Sequence, residues 1–515
     1  MSFNSALQGA LLRIESLTYS DVIAVGLATA TVIVLTLPFW DPLASVPGPF
    51  WARWSPAWMI HHSLKGDMHR KMIRLHEKYG TIVRTGPYEV SVSDPDAIQV
   101  IYDFIKAQAN HLEKSSGAGS FFKKSDWYSV WQGRRKFDLF AERDAHVHGT
   151  NRKFVNSIYS QSRLAEFEPY LDTVIHVFLS RLSQMATKNI DIGYWAQLFA
   201  FGKSIFYGSS NSTLRSSLDV IGELTFSKRF GFIEGGSDKG TFVQIEQALQ
   251  SASWIGQVPW LYWIHDWLSP WIGNHLKVAN RHGLLREIAV KEVTQRGSTQ
   301  STHPDMLDKF MDVHRGQPDK FDETAVMSMT ASNIFAGSDT TAISIGAILY
   351  YLCKHPQYKE ELLKEIDAEA DAGRITRTNV PYKVAQNMPY LQSCIQEGLR
   401  CHPAVGMSMP RVVPPAGLVV NGKRIPGGII AGANPWVIHR NKEIFGDDAD
   451  VFRPDRWLDD DISQKKRFFF AFGAGSRTCI GKGLSLLEIS KLLPSMLLEY
   501  DIEFADPTSD MIENC

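Results

Sequence analysis

The sequence predicts a mainly α-helical fold with small β-sheets, carried behind a single N-terminal transmembrane helix. Three observations lead there. Residues 22–40 form an uncharged apolar run. Helical apolar patterns recur along the rest of the chain, with a long, mostly apolar one over residues 324–354. The clearest strand signal is short, at residues 81–92. The chain has 515 residues, and after residue 50 no Pro/Gly/Ser-rich linker separates two complete patterns. One large domain, 46–515, is therefore expected behind an anchor segment, 1–45.

Composition narrows the function classes. A net charge of −1 offers no basic field for nucleic acid. Five cysteines, an odd number without CxxC spacing, argue against a disulfide framework or a zinc site. Reduced thiols in a cytosol-facing domain fit best.

As a helix, residues 22–40 would be roughly 28 Å long, close to the bilayer core of about 30 Å. The run is long for a signal peptide, and no clear small-x-small cleavage site precedes Pro47. Arg13, Glu15 and Asp21 precede it, whereas Arg53, Lys65, Arg70, Lys71 and Arg74 follow, which places the large domain in the cytosol. Val46-Pro47-Gly48-Pro49 stops the helix from running into the domain. Phe50, Trp51, Trp54 and Trp58 suit either a membrane interface or ordinary packing.

Residues 67–79 read as a helix ending at Gly80, and 81–92 as two strands around Gly86-Pro87. Residues 111–140 read as irregular. Residues 241–254 and 271–296 read as two long helices joined by an aromatic-rich loop, IGQVPWLYWIHDWLSP, and 305–315 as a short amphipathic helix.

Residues 324–354 should form a buried helix. Within it, Ala336-Gly337-Ser338-Asp339-Thr340-Thr341 places a glycine, an acid and two threonines where they weaken a helix. A hydroxyl and a carboxylate belong there if they handle protons; the other reading is a kink with satisfied polar groups. Further on, Glu397 and Arg400 are spaced to share a helix face, and each buried charge needs its partner.

Residues 472–481 read FGAGSRTCIG. Gly473, Gly475 and Gly481 allow positive φ and close approach to a flat ligand. Arg477 is placed to meet an anion. Cys479 needs such surroundings, because a free cysteine is mostly protonated at neutral pH. The loop resembles the haem-thiolate loop of the cytochrome P450 family, with Phe472, Gly475, Arg477, Cys479 and Gly481 at the pattern positions. Residues 336–341 resemble the family's oxygen-activating motif. Glu397-x-x-Arg400, with Arg456 in Phe452-Arg453-Pro454-Asp455-Arg456-Trp457, resembles its buried triad.

The resemblance implies a cytochrome P450 fold and a haem b cofactor. It implies Cys479 as the axial ligand of the haem iron, with Phe472, Gly473 and Arg477 in the same cradle. Arg411 would meet a haem propionate. His148-x-x-x-Arg152 or Trp131-x-x-x-Arg135 would supply the next contact; the apolar pattern after Arg152, ending in Tyr159-Ser160 as in fungal members, favours His148 and Arg152. Thr340 would face dioxygen and Asp339 would help deliver protons. Glu397, Arg400 and Arg456 would be structural, residues 403–409 would line the substrate pocket, and the aromatic loop matches the family's lid.

The implied function is a monooxygenase that hydroxylates, epoxidises or demethylates an apolar small molecule. Electrons would come from NADPH through cytochrome P450 reductase, with cytochrome b5 as a further candidate partner. The implied location is the endoplasmic reticulum membrane, single-pass. Residues 189–200 and 218–232 resemble pieces of a fungal pisatin-demethylase-like group, whose members act in secondary metabolism or on plant defence compounds. Residues 201–217 between them are either a surface loop or a translated intron. The chain stops at Cys515 before the family's final β-hairpin, so either the pocket is open there or the gene model is short. A peroxygenase or isomerase, and a haem-binding remnant, are the competing readings.

Overall fold

The computed structural model describes residues 24, 41–102, 122–185, 188–192, 195–196, 219–228, 241–273, 275–276, 283–296, 301–508, 510–511 and 513. The expected transmembrane run, apart from residue 24, and the 201–217 insert lie outside them. No helix among the described residues is long and apolar enough to cross a membrane. The chain divides into two units, Met1–Pro47 and Gly48–Cys515, and the second carries the helices and strands that build the site.

Helix α1 (Met68–Tyr79) ends at Gly80, whose φ of 89° suits glycine. It leads into strands β1 (Ile82–Gly86) and β2 (Glu89–Val92), an antiparallel pair. Three further strands complete a five-stranded sheet in the order β1-β2-β7-β4-β3. They are β3 (Lys123–Lys124), β4 (Arg411–Val412) and β7 (Ile430–Gly432). β5 (Leu418–Val420) and β6 (Lys423–Ile425) form a separate hairpin. The sheet therefore joins the start of the domain to a stretch about three hundred residues later, and sets Lys124 directly opposite Arg411.

Of the 111–140 stretch, expected to be irregular, residues 111–121 lie outside the described residues, and the rest holds β3 and a short helix α2 (Trp127–Gln132). Its Trp, Tyr and Val side chains bury against neighbours, and tertiary packing overrides the weak local pattern. Helices α3 (Ala145–Val155), α4 (Gln161–Ser183) and α5 (Asp219–Phe226) follow.

The aromatic stretch corrects the sequence reading. After α6 (Thr241–Ile255) it forms a helix of its own, α7 (Pro259–Ile272), rather than a loop. Pro259 is pre-set for the first helical turn, and Gly273, at φ 80°, ends it. Trp271 thus closes this helix instead of opening the next, and α8 begins later (Gly283–Arg296).

Asp305 caps α9 (Met306–Gly316). Asp322 caps α10 (Glu323–Lys354) by accepting from the Ala325 amide at 2.8 Å. α10 runs uninterrupted through residues 336–341 and packs on α5, α8, α9 and two later helices, α11 (Pro389–Cys401) and α12 (Lys482–Glu499). Three of its hydroxyls are absorbed within the helix: Thr330, Thr340 and Ser344 donate to the carbonyls of Val326, Ala336 and Thr340. Gly337 has a packing reason, since a Cβ there would meet Ile221 of α5 at 3.1 Å.

Candidate active site

The loop before α12 is held at both ends. Gly473 and Gly475 take φ of 70° and 64°, the left-handed region that glycine tolerates. The Cys479 amide donates to the Phe472 carbonyl at 2.9 Å. Arg477 donates to the carbonyls of Glu142 at 2.7 Å and Asp144 at 3.2 Å. Asp144 caps α3, accepting from His146 and Val147. Arg152, two turns further along α3, donates back to the Thr478 carbonyl at 2.7 Å. Loop and helix are thus cross-braced around Cys479.

The Cys479 thiol is open on one side and walled by protein on the others. Burial is the largest effect and leaves its pKa raised, although the Gly481 amide, Arg152 and the Lys482 amide pull it down. Those amides sit at the positive end of α12, which partly offsets the burial.

Basic groups crowd beside it. Buried His148 is pushed down to about 3 by desolvation and then by Arg477, Lys124, Arg152 and Arg411, so its ring is neutral. Lys124 is buried, stands opposite Arg411 across the sheet, donates to the Phe140 carbonyl and lies over the Tyr128 and Phe140 rings. Desolvation, then Arg411 and Arg477, push its pKa well below the usual lysine range. Arg477 itself falls to about 10, by burial and then Arg411. Arg411 is buried and donates to the Tyr128 hydroxyl at 3.1 Å. Like charges facing each other across a sheet are unfavourable, so this cluster calls for anionic groups.

Of the two Trp/His-x-x-x-Arg pairs, the structure brings His148 and Arg152 to the cysteine. Trp131 and Arg135 do not share a helix: α2 ends at Gly133, and Arg135 turns back to pair with Asp138 and bond the Trp131 and Gln132 carbonyls.

On α10 the two threonines diverge. Thr340 is exposed, and its hydroxyl donates to the Ala336 carbonyl at 2.8 Å. Thr341 is buried and donates to Ser485 of α12 at 3.1 Å. Asp339 is pushed up to about 7 by burial, and secondarily by Glu246 of α6.

Glu397 is fully buried and accepts from Arg400 through both oxygens at 2.8 Å, from Arg456 at 2.9 Å, from the Trp457 indole at 2.8 Å and from the Arg453 amide at 2.8 Å. Burial alone would raise its pKa, but Arg400 and Arg456 hold it below the usual range. Sequence reasoning missed the link from here to the cysteine loop. His439 donates from Nδ1 to the Arg400 carbonyl at 3.0 Å and accepts at Nε2 from the Phe470 amide at 2.8 Å. Burial drives its pKa to about 3, so the ring keeps this neutral tautomer. It missed Lys124 too; a Lys-Lys pair says nothing until the sheet register sets it against Arg411.

Residues 45–514 match the family described as Cytochrome P450. The chain belongs to the cytochrome P450 family. It is 37% identical to cytochrome P450 monooxygenase hepC of Aspergillus oryzae over 477 residues, 92% of this chain and 90% of the relative. It is 35% identical to cytochrome P450 monooxygenase cicH of Emericella nidulans over 486 residues, covering 91% and 90%. It is 32% identical to cytochrome P450 monooxygenase gsfF of Penicillium aethiopicum over 489 residues, covering 91% and 89%. This cytochrome P450 is a monooxygenase, and its family implies a haem-thiolate cofactor and a redox partner.

Proposed function

We propose that this cytochrome P450 holds haem b through Cys479 and oxidises an apolar small molecule by hydroxylation, epoxidation or demethylation. The observation that carries the reading is the pairing of a thiol at a helix N-terminus with buried Lys124 and Arg411 and half-buried Arg152 and Arg477 around neutral His148. Haem b brings two propionates, the anions that such a cluster asks for. Arg411, Arg477, Arg152 and Lys124 would neutralise them, with His148 as a hydrogen-bond donor. Phe472 and Gly473 would meet the ring, and Glu397, Arg400 and Arg456 fix the loops behind. Bound there, haem supplies dioxygen activation and the transfer of one oxygen atom to carbon.

The chain's own residues do the rest. Cys479 would hold the iron as a thiolate, its charge supported by the Gly481 and Lys482 amides and Arg152. Asp339, poised about 7, holds a proton for a good fraction of the time at neutral pH. Thr340, whose hydroxyl hydrogen is committed to Ala336, offers its oxygen as an acceptor toward the open side of α10. Trp131 packs tilted against Trp127 and edge-on against Phe140, at 5.3 and 5.6 Å between ring centroids, and with Leu249 and Phe335 these rings suit an apolar substrate.

The electron donor in this reading is NADPH through cytochrome P450 reductase, with cytochrome b5 as a second partner. The pathway is fungal secondary metabolism of terpenoids, polyketides or alkaloids, in the pisatin-demethylase-like group. What supports it is the likeness to enzymes of Aspergillus, Emericella and Penicillium. Membrane attachment is supported by the exposed Trp260, Trp267 and Trp271 of α7 and by Phe50 and Trp51. The test is turnover of candidate metabolites with NADPH and reductase, against the same reaction with peroxide alone. Product only with reductase supports the reading. Product with peroxide alone points to a peroxygenase, and none in either, with haem present, to a remnant.

A further inference from the structure

The chain after α12 returns across the far end of α10. Lys359, in the helix that follows α10 (Pro356–Asp371), donates to the Ile502 carbonyl at 2.8 Å and pairs with Asp501 at 2.5 Å. Cys353 of α10 donates to the same carbonyl at 3.3 Å. Tyr350 packs on Phe504 with ring centroids 5.5 Å apart, and Lys354 and Tyr350 both donate to Asp510, at 2.6 and 3.0 Å. The Asp501 and Asp510 side chains are 75% and 80% exposed, so their ion pairs hold little.

Glu513 is placed differently, with a side chain only 12% exposed. Arg70 of α1 grips both of its oxygens, donating from Nε and Nη2 at 2.5 Å, and His69 donates from Nε2 at 3.1 Å. His402, just past α11, brings Nδ1 to 3.7 Å from Oε1, and among the described residues that buried nitrogen has no hydrogen-bond partner. Fully buried Trp436 is the floor beneath all three. The His69 and His402 rings stand 4.4 and 4.8 Å from the indole, and Arg70 lies over it at 5.1 Å. The indole is itself fixed by donating to the Pro403 carbonyl at 2.9 Å. A bidentate arginine beside imidazole nitrogens, held rigid on an aromatic floor, is built to recognise a carboxylate.

We propose that His69, Arg70 and His402 form a carboxylate receptor whose ligand is Glu513, and that this latch, rather than the exposed pairs before it, fastens the stretch after α12 to the last turn of α10. Without Glu513 the contacts at Phe504 and Asp510 belong to a loose end, which opens far more readily than a segment tied at both sides. Through Tyr350, Cys353 and Lys354 the latch bears on the same helix that carries Asp339 and Thr340. It is separate from the oxidation chemistry and holds whether or not that reading does.

The test is hydrogen exchange, followed by mass spectrometry, on the full-length holoenzyme. Glu513→Ala should speed exchange about 10-fold or more in peptides spanning 501–511, the effect of losing charged hydrogen bonds. Exchange in the last turn of α10, Tyr350–Lys354, should rise with it, whereas peptides within α4 should stay unchanged. Arg70→Ala should act on the same peptides, and the double variant should exceed the larger single effect by no more than about 2-fold. Asp510→Asn removes only an exposed pair and should change exchange by about 3-fold or less. Acetate, compared with chloride at equal ionic strength, should enter the vacated receptor and slow exchange again in Glu513→Ala, but not in the double variant. Unchanged exchange in Glu513→Ala and Arg70→Ala overturns the latch, and a rise confined to 501–511 overturns its tie to α10. A larger effect from Asp510→Asn than from Glu513→Ala would put the fastening in the exposed pairs instead. Faster exchange that acetate does not reverse overturns the receptor.

Discussion

At the scale of single residues, the most instructive contrast is between neighbours. Thr340 and Thr341 differ by roughly 100° around the helix, and the structure turns one outward and ties the other to Ser485. Thr340→Ala should keep haem content and substrate binding while product per NADPH falls by about 10²–10⁴-fold and hydrogen peroxide appears. Thr341→Ala should keep coupling and lose some stability; the reverse pattern would put the helix one residue out of register. Asp339 gives a second test. Its folded pKa, about 7, lies above its unfolded value of 3.8. The folded state therefore holds an extra proton between those pH values, so the group's stabilisation is complete in acid and is lost as pH rises through about 7. Thermal unfolding of Asp339→Asn from pH 4 to 8 should show a shallower decline than the wild type. The motif residues were legible because their spacing is local. Lys124 and His439 were not, because their partners, Arg411, and Arg400 with Phe470, lie far along the chain and meet only through folding.

At the scale of elements, the long helix and the Glu397 helix were readable from apolar periodicity, whereas the aromatic stretch was not. Trp, Tyr and Ile fill half of Pro259–Ile272 and leave only a short polar stripe, His265, Asp266 and Ser269, to reveal a helical period, and Pro259 and Pro270 read as loop residues. The β3–β4 pairing was equally hidden, since two-residue strands carry no alternation. The elements hold together through the buried ion network more than through surface pairs. Glu397→Ala leaves Arg400 and Arg456 buried without their carboxylate, so it should cost about 3–5 kcal/mol and release haem at a lower temperature. Asp312→Ala removes only an exposed pair with Arg315 and should change stability by about 0–1 kcal/mol. Comparable melting points for the two variants would deny the triad its role.

At the scale of the whole molecule, one domain built on α10 carries both the thiol loop and the proton-handling motif, and the sequence order of the motifs already implied that they meet. What order could not supply was the crossing of the sheet, which brings Lys124, Arg411 and Arg477 around one point. Membrane attachment belongs to this scale too. Removal of residues 1–40 should leave haem binding intact and loosen the protein from microsomes. Adding Trp267→Ser and Trp271→Ser, which blunt the exposed aromatic helix, should release it fully. Membrane retention of the combined variant would show that neither segment is the attachment. The central claim is that Cys479 binds haem iron as a thiolate. It is tested most directly by the absorption spectrum of the reduced protein with carbon monoxide. The wild type should show the long-wavelength band characteristic of thiolate ligation, and Cys479→Ala should lose it; the same band in Cys479→Ala would contradict the account.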